Sequence, residues 1–260
     1  MRLIFANITQ GFMYTEDPST NEGKIMNKFS IPDYIKYLAK RKPDILCLAE
    51  VLIDDKVGNS EFVNLLSKAT QLPYFKTQSY EKSWLYIGRY YGIAILSKFP
   101  ISDYEKFKLP NPKLEVIRPN GDHWTLHDKY AQYAKINLKN YKLNLFNLHY
   151  FPFHIFNRSI KDKEIEPYRK KLSEYITSKG FQKPTIITGD FNNKGSKLIN
   201  AFPELFISGD LKEAIEVKNT KLNGNDQSDH VLFTPETLKV KASKAEKYFS
   251  THYSLTVDFE

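Results

Sequence analysis

The sequence predicts an α/β fold in one domain, and three observations carry that expectation. Short apolar runs alternate with helical segments in the order strand, helix, strand, helix, strands, and the order starts again after about residue 125. The chain has 260 residues, enough for one large mixed domain with a sizeable core. Hydrophobic residues make up 41% and charged residues 26%, the balance of an ordinary globular protein, and no linker or low-complexity tract interrupts it. Two α/β halves packed together over residues 1–260 are therefore expected.

Arg2 to Ile8 is short and apolar and reads as a buried strand. Residues 10–29, rich in Gly, Asn, Ser and Glu, read as a loop. Ser30 is a candidate N-cap, with Pro32 in the first turn, an apolar stripe of Ile31, Ile35 and Leu38, and Pro43 as the stop. Asp44 to Ala49 is a second apolar run, ending at Glu50. A helix over 59–71 presents Phe62, Leu65, Leu66 and Ala69 on one face. Strands follow at 73–77, 84–87 and 91–96, with Gly88 in the turn region. Residues 108–123 hold three prolines and a Pro-Asn-Gly turn and read as a loop. Strands resume at 131–138 and 142–148 around Lys139-Asn140-Tyr141. A loop rich in aromatics and histidine spans 149–158, and a helix spans 164–179, ending near Gly180. Pro184 to Thr188 is a buried strand that runs into Gly189-Asp190-Phe191-Asn192. The tail has strands near 231–233, 237–241 and 252–259, and the lysine-rich run Lys239–Lys247 reads as a solvated face.

Composition bounds the function. One cysteine, Cys47, excludes an internal disulfide and a four-cysteine zinc site. No stretch approaches the ~18 apolar residues of a membrane span, and Met1 to Asn7 turns polar too soon for a signal peptide. A soluble, cytoplasmic monomer without a transmembrane segment is expected. The net charge of +8 attracts polyanions, nucleic acid first among them. Only six of the 38 basic residues are arginine, the better bidentate phosphate reader, so charge alone is a weak pointer.

Four apolar strands end in polar residues, at the edge where α/β sheets bind ligands. They deliver Asn7, then Glu50, then His149, then Asp190 with Asn192. Each taken singly reads as a turn, cap or structural residue; the four together point to a site. They also fall in recurring motifs. Lys42-Pro43-Asp44-Ile45-Leu46-Cys47-Leu48-Ala49-Glu50 looks like a "P-D-hydrophobic…Q-E" strand, with Ala49 where Gln is usual. Tyr91-Gly92-Ile93-Ala94-Ile95-Leu96-Ser97-Lys98 is similar to a "G-hydrophobic-A-I-L-S-K" hairpin, and Phe146-Asn147-Leu148-His149 to an "N-T-H" strand. Gly189-Asp190-Phe191-Asn192 matches G-D-F-N, and Ser228-Asp229-His230-Val231-Leu232-Phe233 looks like an "I-D-H-hydrophobic-F" segment. With these motifs in order, the chain resembles the endonuclease/exonuclease/phosphatase superfamily of DNase I-like nucleases, abasic-site endonucleases, neutral sphingomyelinases and inositol polyphosphate 5-phosphatases.

The resemblance covers nearly the whole chain and implies a four-layer α/β/β/α sandwich with the site at one end of two sheets. It further implies a metal-dependent phosphoester hydrolase. Glu50 and Asn7 are hard oxygen ligands that suit Mg²⁺, or Mn²⁺ in its place. By resemblance Asp190 orients or deprotonates the attacking water and Asn192 holds the scissile phosphate. His252 donates to a phosphate oxygen with Asp229 behind it, and His149 contacts the phosphate from the other side. The last motif departs from the pattern: Ser250-Thr251-His252 stands where the superfamily has S-D-H, so Thr251 offers a neutral hydroxyl in place of a carboxylate. Asp226 is a candidate to compensate.

Two aromatic groups flank these residues. Tyr150, within the segment Tyr150 to Phe156, and Tyr91, beside Trp84, Tyr86 and Tyr90, are the candidates for substrate contact, stacking on a base or meeting a lipid headgroup. The competing reading puts both groups in the core. Three functions follow. The first is a Mg²⁺-dependent phosphodiesterase acting on nucleic acid as endo- or exonuclease. The second is a phospholipid or inositol phosphate hydrolase. The third is a phosphate-binding relative without turnover, because of Thr251.

Overall fold

Strand 1 is apolar on both faces, so it has to be covered on both, and that requirement sets the architecture. The computed structural model describes residues 1–260 except 18, 21–23, 119–120, 182, 195–196, 208, 223 and 225. The chain begins with β1 (Arg2–Asn7), the hairpin β2 (Phe12–Glu16) and β3 (Lys24–Phe29), α1 (Ile31–Lys40) and β4 (Ile45–Ile53). Then come α2 (Glu61–Thr70), β5 (Tyr74–Lys82), β6 (Tyr90–Ser97), β7 (Ile101–Lys108), β8 (Glu115–Ile117) and β9 (His123–Thr125). The second half holds β10 (Tyr130–Asn137), β11 (Lys142–His149), α3 (Glu166–Thr177), β12 (Thr185–Asp190) and the short α4 (Leu198–Ala201). It closes with β13 (Lys212–Glu213), β14 (Asp229–Phe233), β15 (Val240–Glu246) and β16 (Ser254–Phe259).

Among the described residues these strands form two six-stranded sheets, β15-β16-β1-β4-β6-β5 and β13-β14-β12-β11-β10-β7. In each, one central pair is parallel and the other neighbours are antiparallel: β1 with β4, and β11 with β12. A helix crosses between the members of each pair, as a parallel connection requires. The unit β1-α1-β4-α2-β5-β6 has the same pairing as β11-α3-β12-α4-β13-β14, which gives the repeating order seen in the sequence its structural meaning.

Side-chain alternation makes the layers. Ile4, Ala6, Leu46, Leu48, Ala94 and Leu96 face out and pack under Tyr34 and Leu38 of α1 and Phe62, Val63 and Leu66 of α2. Leu3, Phe5, Cys47, Ile93 and Ile95 face in and meet Ala134, Ile136, Leu143, Leu145 and Ile186 of the second sheet. That sheet's outer residues, Phe146, Leu148 and Ile187 among them, pack against Leu172 and Ile176 of α3. The result is the α/β/β/α sandwich.

Several elements differ from the sequence reading. Residues 10–29 contain the β2–β3 hairpin, whose alternation is masked because most of β3 is exposed. Residues 84–87 form a turn, and the strand before it, β5, runs on to Lys82. β7 was not anticipated because its outward residues are charged, and β8–β9 form a small hairpin that starts in the expected loop and runs past its end to Thr125; Pro119 and Asn120 of the expected turn lie outside the described residues. Helix α2 buries Phe62, Val63, Leu66 and Ser67, leaving Leu65 43% exposed. Its rotation is fixed by Ser60, which accepts from Val63 N as N-cap and donates to the Leu52 carbonyl at 2.7 Å. Arg2 joins the chain ends through Asp258, at 2.8 and 2.9 Å.

Candidate active site

The same alternation that builds the inter-sheet core aims four polar side chains at its open end. Leu3 and Phe5 face the second sheet, and Asn7 continues that row. Leu143 and Leu145 lead to Asn147 and His149, Ile186 to Asp190, and Val231 and Phe233 trace back to Asp229. His149 and Asp190 lie opposite each other in the parallel pair, as do Asp190 and Asp229 in the antiparallel one. Asn147 fastens the sheets together just below: its amide donates to the carbonyls of Leu48 and Ala94 at 3.1 and 3.0 Å.

Glu50 has the wrong parity for this row. Ile45, Cys47 and Ala49 face inward, so a regular strand would turn Glu50 toward the helices. β4 instead carries a bulge: Ala49 pairs with Ile93 and Val51 with Gly92, leaving Glu50 unpaired in a left-handed conformation (φ 52°) that turns it into the site. The strand does not end at Glu50, as the sequence suggested, but resumes to Ile53. A second bulge across Gly92 leaves Tyr80 unpaired between Ser79 and Glu81. A Cβ on Gly92 would lie 1.9 Å from the Gln78 carbonyl oxygen, so the two bulges can flank only a glycine.

The side chains form a connected set. Asn7 Nδ2 donates to Glu50 Oε1 at 3.1 Å and to Asp190 Oδ2 at 3.3 Å, while Asn7 Oδ1 accepts from Thr9 N at 3.1 Å. The chain leaves β1 through Thr9, Gln10 and Gly11, all with positive φ. That strained turn is held by Ser250, whose hydroxyl donates to the Asn7 carbonyl at 2.5 Å and bonds Thr9 Oγ1 at 2.7 Å. His149 Nε2 lies 3.7 Å from Asp190 Oδ2 and 4.0 Å from Glu50 Oε1. On the other side His252 Nε2 lies 3.7 Å from the same Asp190 oxygen, and its Nδ1 meets Asp229 at 2.8 Å. Thr220 Oγ1 accepts from the Asp229 and Ser228 amides. Asn192, also left-handed (φ 51°), donates from Nδ2 to the Tyr150 carbonyl at 3.0 Å, and its backbone N–H donates to Asp190 Oδ1.

Electrostatics assign protonation states. Burial opposes charge on Asp190, but Lys221, His252, His149 and Lys129 outweigh it and hold the carboxyl well below its ordinary range. Burial, reinforced by the nearby Lys129, pushes the His149 imidazole well below its ordinary value. Burial keeps the Tyr80 phenol far above its own, so Tyr80 donates to His149 Nδ1 at 2.7 Å. The proton of neutral His149 therefore sits on Nε2, facing Asp190 and Glu50. Burial also pushes the Lys129 ammonium down to about 7, against the pull of Asp190 and Glu50.

Glu50, Asn7, His149, Asp190, Asn192, Asp229 and His252 are thus brought together. Tyr91 is near, edge-on to Tyr80 at 4.9 Å. Tyr150 is not: its ring is fully buried among Phe151, Phe153 and Phe202, and only its backbone carbonyl faces the site. Phe151, Phe153 and Phe156 are buried as well, so the aromatic segment packs on the core and builds no wall for a substrate. His230, next to Asp229, points to the opposite face and bonds Glu213 and Asn193, both at 2.9 Å. Thr251 lies beside the site, its hydroxyl 3.4 Å from Thr9 Oγ1. Asp226 does not join the acidic cluster of the described residues, which is Asp190, Asp229 and His252. Sequence reasoning missed Tyr80, Lys129 and Lys221; Lys221 pairs with His252 in an isolated bridge.

The donor chemistry fits a hard divalent cation. The Glu50 and Asp190 carboxylates converge on one amide N–H group, a place where a cation relieves their repulsion, and Asp190, Asp229 and His252 offer ligand atoms within 4.8 Å of one another.

The model of the Endonuclease/Exonuclease/phosphatase family matches residues 30–250. The chain belongs to that family. The match stops one residue short of Thr251. No curated protein matches the chain. Solved structures of similar fold include a mannosyl-6-phosphatase of Bacteroides thetaiotaomicron, with TM-score 0.64, 14% identity and coverage of 100% of this chain and 99% of that one. The human Nocturnin catalytic domain aligns with TM-score 0.64 and 17% identity over 100% and 93% of the two chains. A sphingomyelinase C of Streptomyces griseocarneus aligns with TM-score 0.56 and 12% identity over 99% and 98%. At these identities the likeness is one of fold. Endonuclease/exonuclease/phosphatase members are phosphoesterases, and the residues that the strand alternation gathers here are suited to that class of reaction. Among the described residues no helix is long and apolar enough to cross a membrane.

Proposed function

We propose that the chain, acting as one domain over residues 1–260 and as a cytoplasmic monomer, is a Mg²⁺-dependent phosphodiesterase that cleaves nucleic acid. One observation carries the reading: two carboxylates, a neutral histidine and an Asp229-backed histidine surround a single point at the sheet edge, with distances of 2.8–4.0 Å linking them. The net charge of +8 favours a polyanionic substrate.

Glu50 would hold the ion together with Asn7, whose Oδ1 would reach it once the amide turns over from the arrangement in which Nδ2 faces the carboxylates; the ion would supply Lewis-acid neutralisation of a phosphate oxygen. Asp190 is ionised at neutral pH, so it accepts a hydrogen bond from the attacking water and aims its lone pair at phosphorus. His149 donates from Nε2 to a non-bridging oxygen. Asp229 fixes the proton of His252 on Nδ1 and stabilises charge on the ring, which faces the phosphate from the far side. Asn192 orients the phosphate from a left-handed backbone position.

A second reading, hydrolysis of a phospholipid, is favoured by apolar loop tips on the first sheet's side. Val57, Trp84 and Ile87 are 86%, 65% and 106% exposed. The deciding experiment assays purified protein on plasmid, abasic and single-stranded DNA, RNA and phospholipid vesicles, with and without Mg²⁺ or Mn²⁺, beside Asp190→Ala. Metal-dependent nucleic-acid cleavage that D190A abolishes supports the proposal. Headgroup release from vesicles with intact nucleic acid transfers it to the second reading. Metal and phosphate binding without turnover on any substrate would make the chain a binding relative.

A further inference from the structure

Lys129 is a buried cation that no motif accounts for. It precedes β10 and is 5% exposed, and no carboxylate of the described residues lies within ion-pair distance of it. Its Nζ donates to the Tyr150 carbonyl at 3.0 Å. The same carbonyl accepts from Asn192 Nδ2, also at 3.0 Å. Nζ lies 5.9 Å from the centroid of the Tyr80 ring, and that ring's hydroxyl donates to His149 Nδ1 at 2.7 Å. Two relays therefore start at one ammonium, and they end on Asn192 and His149.

Burying an ammonium is costly when no carboxylate touches it, and an unbranched apolar side chain of the same length would fill the space without that cost. A space-filling role does not explain a lysine here; the two relays do. We propose that Lys129 is a positioning residue. Its ammonium fixes the Tyr150 carbonyl and underlies the Tyr80 ring, so that the Asn192 amide and the His149 imidazole face the reacting phosphate together. The fixed carbonyl gives the Asn192 amide its partner although the residue sits in a turn. The cation–ring contact ties the Tyr80 bulge to the second sheet, on which His149 is carried. The inference rests on the proposed hydrolase reading only for what is being positioned.

The test compares Lys129→Met, which removes donor and charge, with Lys129→Arg, which keeps both, in the full chain. Two readouts are taken: kcat and KM on the substrate the wild type cleaves, and, without substrate, the NMR resonances of the Asn192 side-chain amide and the His149 ring. Lost outer-sphere partners of this kind cost about 10–100-fold in activity, so K129M is expected to lose that much in kcat with KM little changed. Its Asn192 and His149 resonances move, and K129R returns both readouts toward wild type. Wild-type kcat in K129M, unmoved resonances, or a K129R as impaired as K129M overturns the inference. If the wild type cleaves no phosphoester, the functional reading falls and the resonances alone decide Lys129. Lys129→Gln takes the place of K129M, with the same outcomes, should the methionine variant not fold.

Discussion

Replacing Gly92 by alanine tests whether the paired bulges hold the site together. The new methyl carbon would stand 1.9 Å from the Gln78 carbonyl oxygen and 2.8 Å from Ile53 Cδ1. The nearer obstacle is backbone, so strand β5 has to retreat by more than about 1 Å before contact becomes tolerable. Overpacking of a rigid core costs about 1–3 kcal/mol, and a backbone obstacle puts this substitution near the upper end. For a chain of this size about 3 kcal/mol lowers Tm by roughly 6–12 °C. The strain falls on the two unpaired residues that flank Gly92, so Glu50 and Tyr80 lose their aim together. Urea unfolding followed by circular dichroism measures the first effect, and calorimetric titration with Mg²⁺ measures the second. A G92A protein within about 0.5 kcal/mol of wild type would refute the packing argument. Lost stability with unchanged Mg²⁺ affinity would separate the bulge from the metal ligand.

Asp229→Asn removes the charge behind His252 and should lower kcat by about 10²–10⁴-fold, with the fold intact by circular dichroism; an unchanged kcat removes the His252 relay. Thr251→Asp adds a carboxylate beside Thr9 and should tighten Mg²⁺ by about 1–2 kcal/mol, roughly 5–30-fold, in a calorimetric titration; equal affinity would mean that Thr251 does not face the ion. Asp128 is partly buried, yet Lys108 and Lys113, at 2.6 and 2.7 Å, hold its carboxyl well below the ordinary range. Its contribution is present above the unfolded pKa of about 4 and is lost as pH falls, so Asp128→Asn should lower Tm at pH 7 and converge on wild type in acid. Burial lowers Lys129 to about 7, so between pH 7 and about 10 the unfolded chain binds more protons and this residue's contribution to stability rises with pH. Tm measured over that range should climb less in K129M than in wild type.

Most of the site follows from period-two alternation. Asn7 and Asp229 extend an inward apolar row by one place, and His149 and Asp190 follow one polar residue, Asn147 or Thr188, on the same face, so their meeting is written in local pattern. Glu50's facing is not, because a bulge reverses its face and nothing in the apolar run signals one; its place after an apolar run and the motif resemblance pointed to the residue, but not to how it turns into the site. Tyr80 was hidden for the same reason, and Lys129 because a lysine at a strand's start is ordinarily a solvated end. Tyr150 was misplaced because a core aromatic and a stacking aromatic are the same residue; burial distinguishes them, and burial depends on Phe202, more than 50 positions away. The β2–β3 hairpin was lost to its polar composition, which satisfies an exposed ribbon as well as a loop.

Strand β1 sits in the middle of its sheet, between β4 and β16, although it is made first and β16 last. Residues 101–233 supply the whole second sheet and can pair as they leave the ribosome. The first sheet must wait with an open edge until residue 259 has been added. His252 arrives in that same late segment, so the Asp229–His252 pair cannot form until the closing strand is reached.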